Sequence, residues 1–451
     1  MSRQARGWSA TVTGIAVLVG ISIGNPFWVL FGTIALIVIG LAEAWWRWGG
    51  VGLEYRRTLA ATTATCGDTI DCVIEVTNRK VLPMPWVDVA DDWPSALLPD
   101  RARGRHRGWG TWTRREVAPG SATKDALNDL STNGMRSDHE DVPTQVDREP
   151  LAQRLTLAPF ERVQRRYAVP CRRRGAYAFG PVAIRWRDAF GLTSRDADMD
   201  SRGTLVVFPR VVPVVAPPGA VRQLLGDRVQ PRALLADPTR LAGVRPFTSG
   251  DSVRRVHWGA TARTGVLQVR RDDPTAGRRL WLVIDVETAT EDRWWSAGDS
   301  DVHETLAIVA ASVAAWALGQ GVSVGVSANG RTAGSAIDLS VPCAGNPRQL
   351  LRVLDALARL RPWPSRMLRE TLEATGRTWP RDATVVLVTA MPSIAKASAL
   401  ARAARHGQPS VMIDCRPARA GQASDPVGMG TTWRLADAAA PWQSRAEVRL
   451  G

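Results

Sequence analysis

Between Pro26 and Trp46 the chain reads PFWVLFGTIALIVIGLAEAWW, an apolar run about as long, wound as a helix, as a bilayer's hydrocarbon core is thick. Lipid offers no hydrogen-bond partners to a backbone, so a run of this kind has to satisfy its peptide groups internally and is expected to be helical. A shorter apolar run, WSATVTGIAVLVGISIG from Trp8 to Gly24, precedes it, and Asn25-Pro26 between the two suits a turn. The pair predicts a transmembrane helical hairpin over residues 1–48, with spans of about 8–24 and 26–46. A cleaved signal peptide is the rival, since Arg3 and Arg6 precede the first run, but no small-x-small site is clear and a second span follows at once.

Arg3 and Arg6 lie before the hairpin, Arg47, Arg56 and Arg57 lie after it, and the turn carries no cation. The positive-inside rule then holds both ends of a multi-pass inner (cytoplasmic) membrane protein in the cytosol, with Trp45, Trp46 and Trp48 as an interfacial aromatic belt. The five cysteines, Cys66, Cys72, Cys171, Cys343 and Cys415, are odd in number and show no CxxC spacing, which suits a reducing compartment for the bulk of the chain.

A chain of 451 residues exceeds one ordinary core and implies two or three folded units. Its 45% hydrophobic and 22% charged residues are globular proportions, excluding a disordered chain or a polytopic transporter. The net charge of +15 comes almost entirely from scattered Arg. We read it as compositional background, with nucleic acid or an anionic membrane face as the alternatives that Arg chemistry permits.

Residues 49–215 read as a β-sandwich-like domain. TIDCVIEVTN alternates Ile70, Cys72, Ile74 and Val76 with polar residues, and Pro83 and Pro85 favour an extended edge after it. About 100–150 is a polar insertion with too few aliphatics to order itself, in which His106 and His139 lack ligand spacing. Alternation resumes at Tyr167, Val169 and Cys171, passes turns at Arg174-Gly175 and Asp188–Gly191, and ends with GTLVVFPRVVPVV. Residues 216–275 are a Pro-containing linker and a charge-crowded segment.

The last third, 276–451, alternates strands with amphipathic helices. RRLWLVIDV is a continuous apolar strand ending at Asp285, followed by a helix from His303 to Leu318 with Asp301 and Glu304 placed as a capping pair. Strand Val322–Ala328, helix PRQLLRVLDALARL, strand Thr384–Ala390, an Ala-rich helix after Ser393 and strand Pro409–Asp414 follow. This order predicts a doubly wound α/β fold and hence a multidomain α+β chain. Ligands of such sheets bind outside the strand carboxyl ends, where Asp285 and Thr389 fall. No GxGxxG or GxxxxGK[ST] follows these strands.

The segment GDSVRRVHWGATARTG, Gly250 to Gly265, crowds Asp251, Arg254, Arg255, His257 and Arg263 around Trp258. Gly250-Asp251 suits a tight turn, and carboxylate–Arg pairing beside Trp258 would make a clamp between the β and α/β domains. A partner-binding surface is the second reading. Catalysis is the third, because His257 is the only plausible general base there and no nucleophile–base–orienter set can be assembled from the sequence.

These features together resemble the bacterial domain-of-unknown-function-58 family. The resemblance rests on the two-helix hairpin, Asn78 followed by Pro85-Trp86, CRRRGAYAFGPV, RDAFGL and VRPFTSGDSVRRVHWGATARTGVLQVRR. Phe247, Gly250, Asp251, Arg254, His257, Trp258, Ala262 and Arg263 fall on the family signature. The resemblance implies a von Willebrand factor A-like terminal domain and a MoxR-type AAA+ ATPase as partner. It also implies Mg²⁺ held by Asp-x-Ser-x-Ser, a Thr and a third-loop Asp. Here Asp285 is kept, but Glu287 and Ala289 stand at the hydroxyl positions, Thr288 and Thr290 fall out of register, and Ala390 follows Thr389. Asp285 and Glu287 are therefore read first as caps of strand and helix ends, and second as ligands of a divalent ion; no other cofactor is expected.

The function expected is a membrane-anchored, cytosol-facing interaction adaptor, non-enzymatic, with the bilayer and an AAA+ ATPase as partners. A metal-dependent membrane-bound hydrolase is the alternative. A nonspecific nucleic-acid binder is the third reading, with no recognisable module for specific nucleic acid.

Overall fold

The computed structural model describes residues 14, 15, 18, 21, 22, 24, 26–99, 148–188, 194–217, 241–248, 253, 256–272, 278–288, 300–335, 337–404, 408–416, 431–435 and 441–450. Most of the first apolar run, nearly all of the polar insertion, most of the linker, and Gly250, Asp251, Arg254, Ala289 and Thr290 lie outside them. The chain divides into two compact units. One comprises Met1–Ala64, Asp68–Arg172 and Tyr177–Leu205; the other comprises Thr65–Gly67, Arg173–Ala176 and Val206–Gly451.

The first unit opens with helix α1, Pro26–Trp48. Its segment Pro26–Glu43 is long and apolar enough to cross a membrane, and its large side chains, Phe27, Trp28, Leu30 and Phe31 among them, are exposed. At its end the compact ammonium of Lys80 donates to the carbonyls of Gly49 and Val51, and Trp45 Nε1 donates to Pro83 O at 3.0 Å. Trp45 thus bonds to the β-structure, whereas Trp48 is exposed. The close approach also requires glycine: a Cβ on Gly49 would lie 2.3 Å from Trp186 Nε1.

Strands β1 (Leu53–Leu59), β2 (Thr63–Thr65), β3 (Thr69–Asn78), β4 (Met84–Pro94), β5 (Arg148–Leu157), β6 (Arg162–Pro170), β7 (Gly175–Phe179), β8 (Val182–Arg187), β9 (Ser194–Met199) and β10 (Gly203–Phe208) follow. Those lying wholly within this unit form antiparallel sheets β1-β3-β6 and β5-β4-β8-β9, whereas β2, β7 and β10 each carry residues of both units. In β3 the expected alternation holds, with Cys72, Ile74 and Val76 buried. Strand β5 begins inside the expected insertion, and REPLAQRLTL alternates too, so the polar stretch is slightly shorter than its composition suggests.

Arg57, counted above among cations flanking the membrane span, is buried instead. Its side chain is 2% exposed and pairs with Asp91, while its guanidinium lies 4.6 Å from the Phe179 ring centroid. Asp91 also accepts from Tyr55 Oη and Trp93 Nε1, both at 2.6 Å. Burial pushes the Asp91 carboxyl up, and Arg57 and these donors oppose that shift. Two charges sealed in a core need such saturation, because either left alone would cost several kcal/mol, about 3–5.

The second unit contains β11 (Val214–Val215), β12 (Leu241–Pro246), helix α2 (Trp258–Thr264), β13 (Gln268–Asp272), β14 (Arg279–Ile284), helix α3 (Ser300–Gly319), β15 (Ser323–Thr332), β16 (Asp338–Ala344), helix α4 (Gln349–Arg359), β17 (Leu360–Pro364), helix α5 (Leu368–Thr375), β18 (Ala383–Thr389), helix α6 (Ile394–Ala403), β19 (Ser410–Asp414), β20 (Thr431–Arg434) and β21 (Val448–Arg449). The main sheet runs β16-β15-β14-β18-β19-β20, parallel from β15 to β20, with β16 antiparallel at one end. Every residue of β18 is buried, as its unbroken apolar run requires of a strand covered on both faces. Trp281, Val283, Val385 and Leu387 pack with Leu368, Leu372 and Leu400. Leu280 and Leu282, of opposite parity, are equally buried. Trp281 pairs in register with Gly325, where a Cβ would lie 2.5 Å from the indole.

Helix α3 is apolar enough to pass for a membrane span, yet most of it is buried as the core helix of this unit. Its capping pair is put to other uses. Asp301 sits inside the first turn, where its Oδ1 accepts from Arg173 at 2.9 Å and Trp442 at 3.1 Å. Glu304 is buried beside Arg174 at 3.5 Å, and burial raises its carboxyl against the pull of that guanidinium.

Candidate functional site

Because β14 neighbours β15 on one side and β18 on the other, the strand order reverses at β14. Crevices at such reversals, beyond the strand carboxyl ends, are where α/β sheets hold ligands. Asp285 follows β14 directly, and Thr389 closes β18. Both are fully buried and joined by a 2.8 Å hydrogen bond from Thr389 Oγ1 to Asp285 Oδ2.

A buried carboxylate has roughly four lone-pair sites to satisfy. At Asp285, Oδ1 accepts from Asn329 Nδ2 at 2.9 Å and from the Glu287 amide at 3.2 Å, while Oδ2 accepts from Thr389 and from Lys396 Nζ at 2.7 Å. Asn329 is fixed in orientation because its Oδ1 accepts from Val286 N at 2.8 Å, and Thr389 Oγ1 accepts from Met391 N at 3.0 Å. The Lys396 ammonium also lies 2.7 Å from Glu287 Oε2. Burial disfavours the charge on Lys396, but the two carboxylates outweigh it, holding the ammonium above the ordinary lysine range. Thr288 Oγ1 turns away to His303 Nε2, at 3.2 Å.

Lys396 stands in the first turn of α6, where Ser393 accepts from its amide as N-cap. A cation there faces the positive end of the helix dipole, a placement unfavourable by roughly 0.3–1 kcal/mol. The carboxylates therefore determine its position. Asp414, buried at the end of β19, is served differently, by Arg416 at 2.9 Å and Arg434 at 3.7 Å.

Of the strand-end residues read from sequence, Asp285, Glu287 and Thr389 come together, and Ala390 sits buried where an Asp would be expected. Asn329 and Lys396 were not foreseen. Asn329 lies one residue past the expected end of β15, on a strand that runs on to Thr332. For Lys396 a signal existed: only three of the 58 cationic residues are lysines, at positions 80, 124 and 396. In a chain that uses Arg almost everywhere, a Lys stands out as a candidate for a place suited to a compact point charge.

The signature segment folds around α2. His257 is its N-cap, with Nδ1 accepting from Ala260 N at 3.0 Å, so the ring proton sits on Nε2 while that bond is made. Gly265, at φ 70°, closes the helix in the left-handed region, its amide donating to Thr261 O. Thr261 Oγ1 donates to His257 O and accepts from Gln268 N, and His257 N donates to Gln268 O at 2.8 Å. Phe247 N donates to Leu267 O, closing β12 onto β13. His257 thus caps the helix through Nδ1, whereas Trp258 and Arg263 are exposed.

Residues 243–413 match the family model described as "Protein of unknown function DUF58". The matched region opens in β12, closes in β19 and contains His257, Asp285, Asn329, Thr389 and Lys396. Among solved structures the chain is similar to Spo0M, a sporulation control protein from Bacillus subtilis, at 10% identity and a TM-score of 0.17. That alignment covers 35% of this chain and 49% of Spo0M, about half its length, and likeness this slight assigns neither fold nor function. No curated protein matches the chain. Residues 243–413, from the signature hairpin through the strand-end site, thus carry the chain's similarity to the DUF58 family of proteins of unknown function.

Proposed function

We propose that the protein is a membrane-anchored, cytosol-facing interaction adaptor that works with a MoxR-type AAA+ ATPase in assembly or maturation of envelope proteins. The observation that carries this reading is the apolar surface of the signature element. Trp258 is 67% exposed and Val266 56%, with Val244 and Leu267 exposed beside them in sequence or across the hairpin. A solvent-facing Trp among aliphatics is the composition of a partner-binding patch. Saturation of Asp285 by its neighbours also favours a binding edge over a reacting group. The strand order, with Asp285 and Thr389 on adjacent strand ends, supports a von Willebrand factor A-like reading of the second unit, and α1 supports the anchor. The ATPase comes from the family resemblance.

The test is to crosslink tagged full-length protein in its native membrane and identify what co-purifies, comparing wild type with Trp258→Ala and with the Asp285→Ala, Glu287→Ala double variant. Recovery of an AAA+ ATPase with wild type, lost in a folded Trp258→Ala variant, is expected. Recovery of no ATPase with wild type would contradict the adaptor reading.

A further inference from the structure

The resemblance to von Willebrand factor A domains implies a Mg²⁺ ion at the carboxyl end of β14, and the residues present do not fit one. Mg²⁺ requires near-octahedral oxygen ligands. Both oxygens of Asp285 are already engaged by four donors, Thr389 gives its proton to Asp285, and Thr288 bonds to His303. Among the described residues no group of three or more His, Cys, Asp or Glu side chains is placed to hold a metal.

We propose that Lys396 is the resident cation of this site. Its ammonium, bonded at 2.7 Å to both Asp285 and Glu287, stands where the resemblance would put the divalent ion, so the site is complete without metal. Three independent features support the assignment. The ammonium bridges the two carboxylates that metal coordination would use. It does so from the N-terminal turn of α6, against the helix dipole, so its own helix does not explain its position. It is also a lysine in a chain whose cations are otherwise almost all arginines, and a tetrahedral ammonium of three donors fits a space between two carboxylates that a planar guanidinium would overfill. At Asp414, where the cations are more exposed than Lys396, the same sheet uses Arg416 and Arg434.

The test uses purified full-length protein and Mn²⁺ as the probe, read by the loss of its free electron paramagnetic resonance signal, together with thermal unfolding in Mg²⁺ or chelator. Wild type is expected to leave the Mn²⁺ signal unchanged and to unfold at the same temperature in either solution. Lys396→Ala vacates the cation position and is expected to bind Mn²⁺ at least tenfold more tightly than wild type, with its lowered unfolding temperature partly restored by Mg²⁺. Adding Asp285→Ala to that variant should abolish both effects. Lys396→Ser, which likewise vacates the cation position, replaces Lys396→Ala if that variant fails to fold. Mn²⁺ uptake by wild type that is lost in Asp285→Ala would overturn the proposal, as would a folded Lys396 variant that takes up no Mn²⁺.

Discussion

Lys396 Nζ lies 2.7 Å from Asp285 Oδ2 across 111 residues of sequence, joining the end of β14 to the first turn of α6. The pair closes a ring in which Asn329 and Thr389 complete the shell of the carboxylate, so three strands and a helix are pinned through one buried charge.

Removing the cation alone should leave an unpaired buried carboxylate. Lys396→Met is expected to destabilise the second unit by about 3–5 kcal/mol. Asp285→Asn should cost less, and the double variant less than the sum of the two. Denaturant titration of the four proteins measures the coupling; additive losses would show that the pair does not act as a unit.

Asn329 holds both its neighbours, donating to Asp285 and accepting from Val286 N. Asn329→Ala orphans a carboxylate lone pair and a buried amide, with an expected loss of about 2–4 kcal/mol from those two bonds. Hydrogen exchange at the Val286 amide should accelerate in the same variant, and an unchanged rate would contradict the assigned bond.

The register partner of Trp281 must be small. Gly325→Ala is expected to drive the indole off its rotamer and lower stability by roughly 1–3 kcal/mol. Loss of the Trp281 Nε1 bond to Ser327 Oγ, now 3.0 Å, would be visible as a shifted indole resonance.

Lys80 reports on the junction between α1 and the β-structure. Burial lowers its ammonium from the ordinary lysine value of 10.5 to about 8. A lysine whose folded pKa is depressed destabilises the fold while charged; that penalty is present below about pH 8 and is relieved as pH rises from there towards 10.5. Wild type should therefore gain stability across this window relative to Lys80→Met, and parallel pH profiles would contradict the shift.

Much of this was legible from sequence because periodicity survives folding. The apolar runs of β14, β18 and β19 and the helix after His303 were placed within a few residues, since a strand buried on both faces has no polar positions to blur it. The ends of elements were less legible. β15 continues past Ala328 to bring Asn329 under Asp285, an extension that tertiary pairing with β17 supports and local composition does not signal. Asp301 and Glu304 have capping spacing, yet long-range partners Trp442 and Arg174 engage them. Arg57 reads as a juxtamembrane cation because nothing local shows that Asp91 will meet it. Lys396 was hidden in an Ala-rich helix, and only its rarity as a lysine set it apart.

The account turns on whether Lys396 is the cation of the strand-end site. With three lysines in the chain, labelling lysine with carbon-13 at Cε gives few enough resonances to assign by substitution and to follow through a pH titration with and without millimolar Mg²⁺. The account predicts that Lys396 titrates above the ordinary lysine range, held there by Asp285 and Glu287, and that Mg²⁺ leaves its midpoint unchanged. A midpoint that falls on adding Mg²⁺, showing the ammonium displaced from the carboxylates, would contradict it.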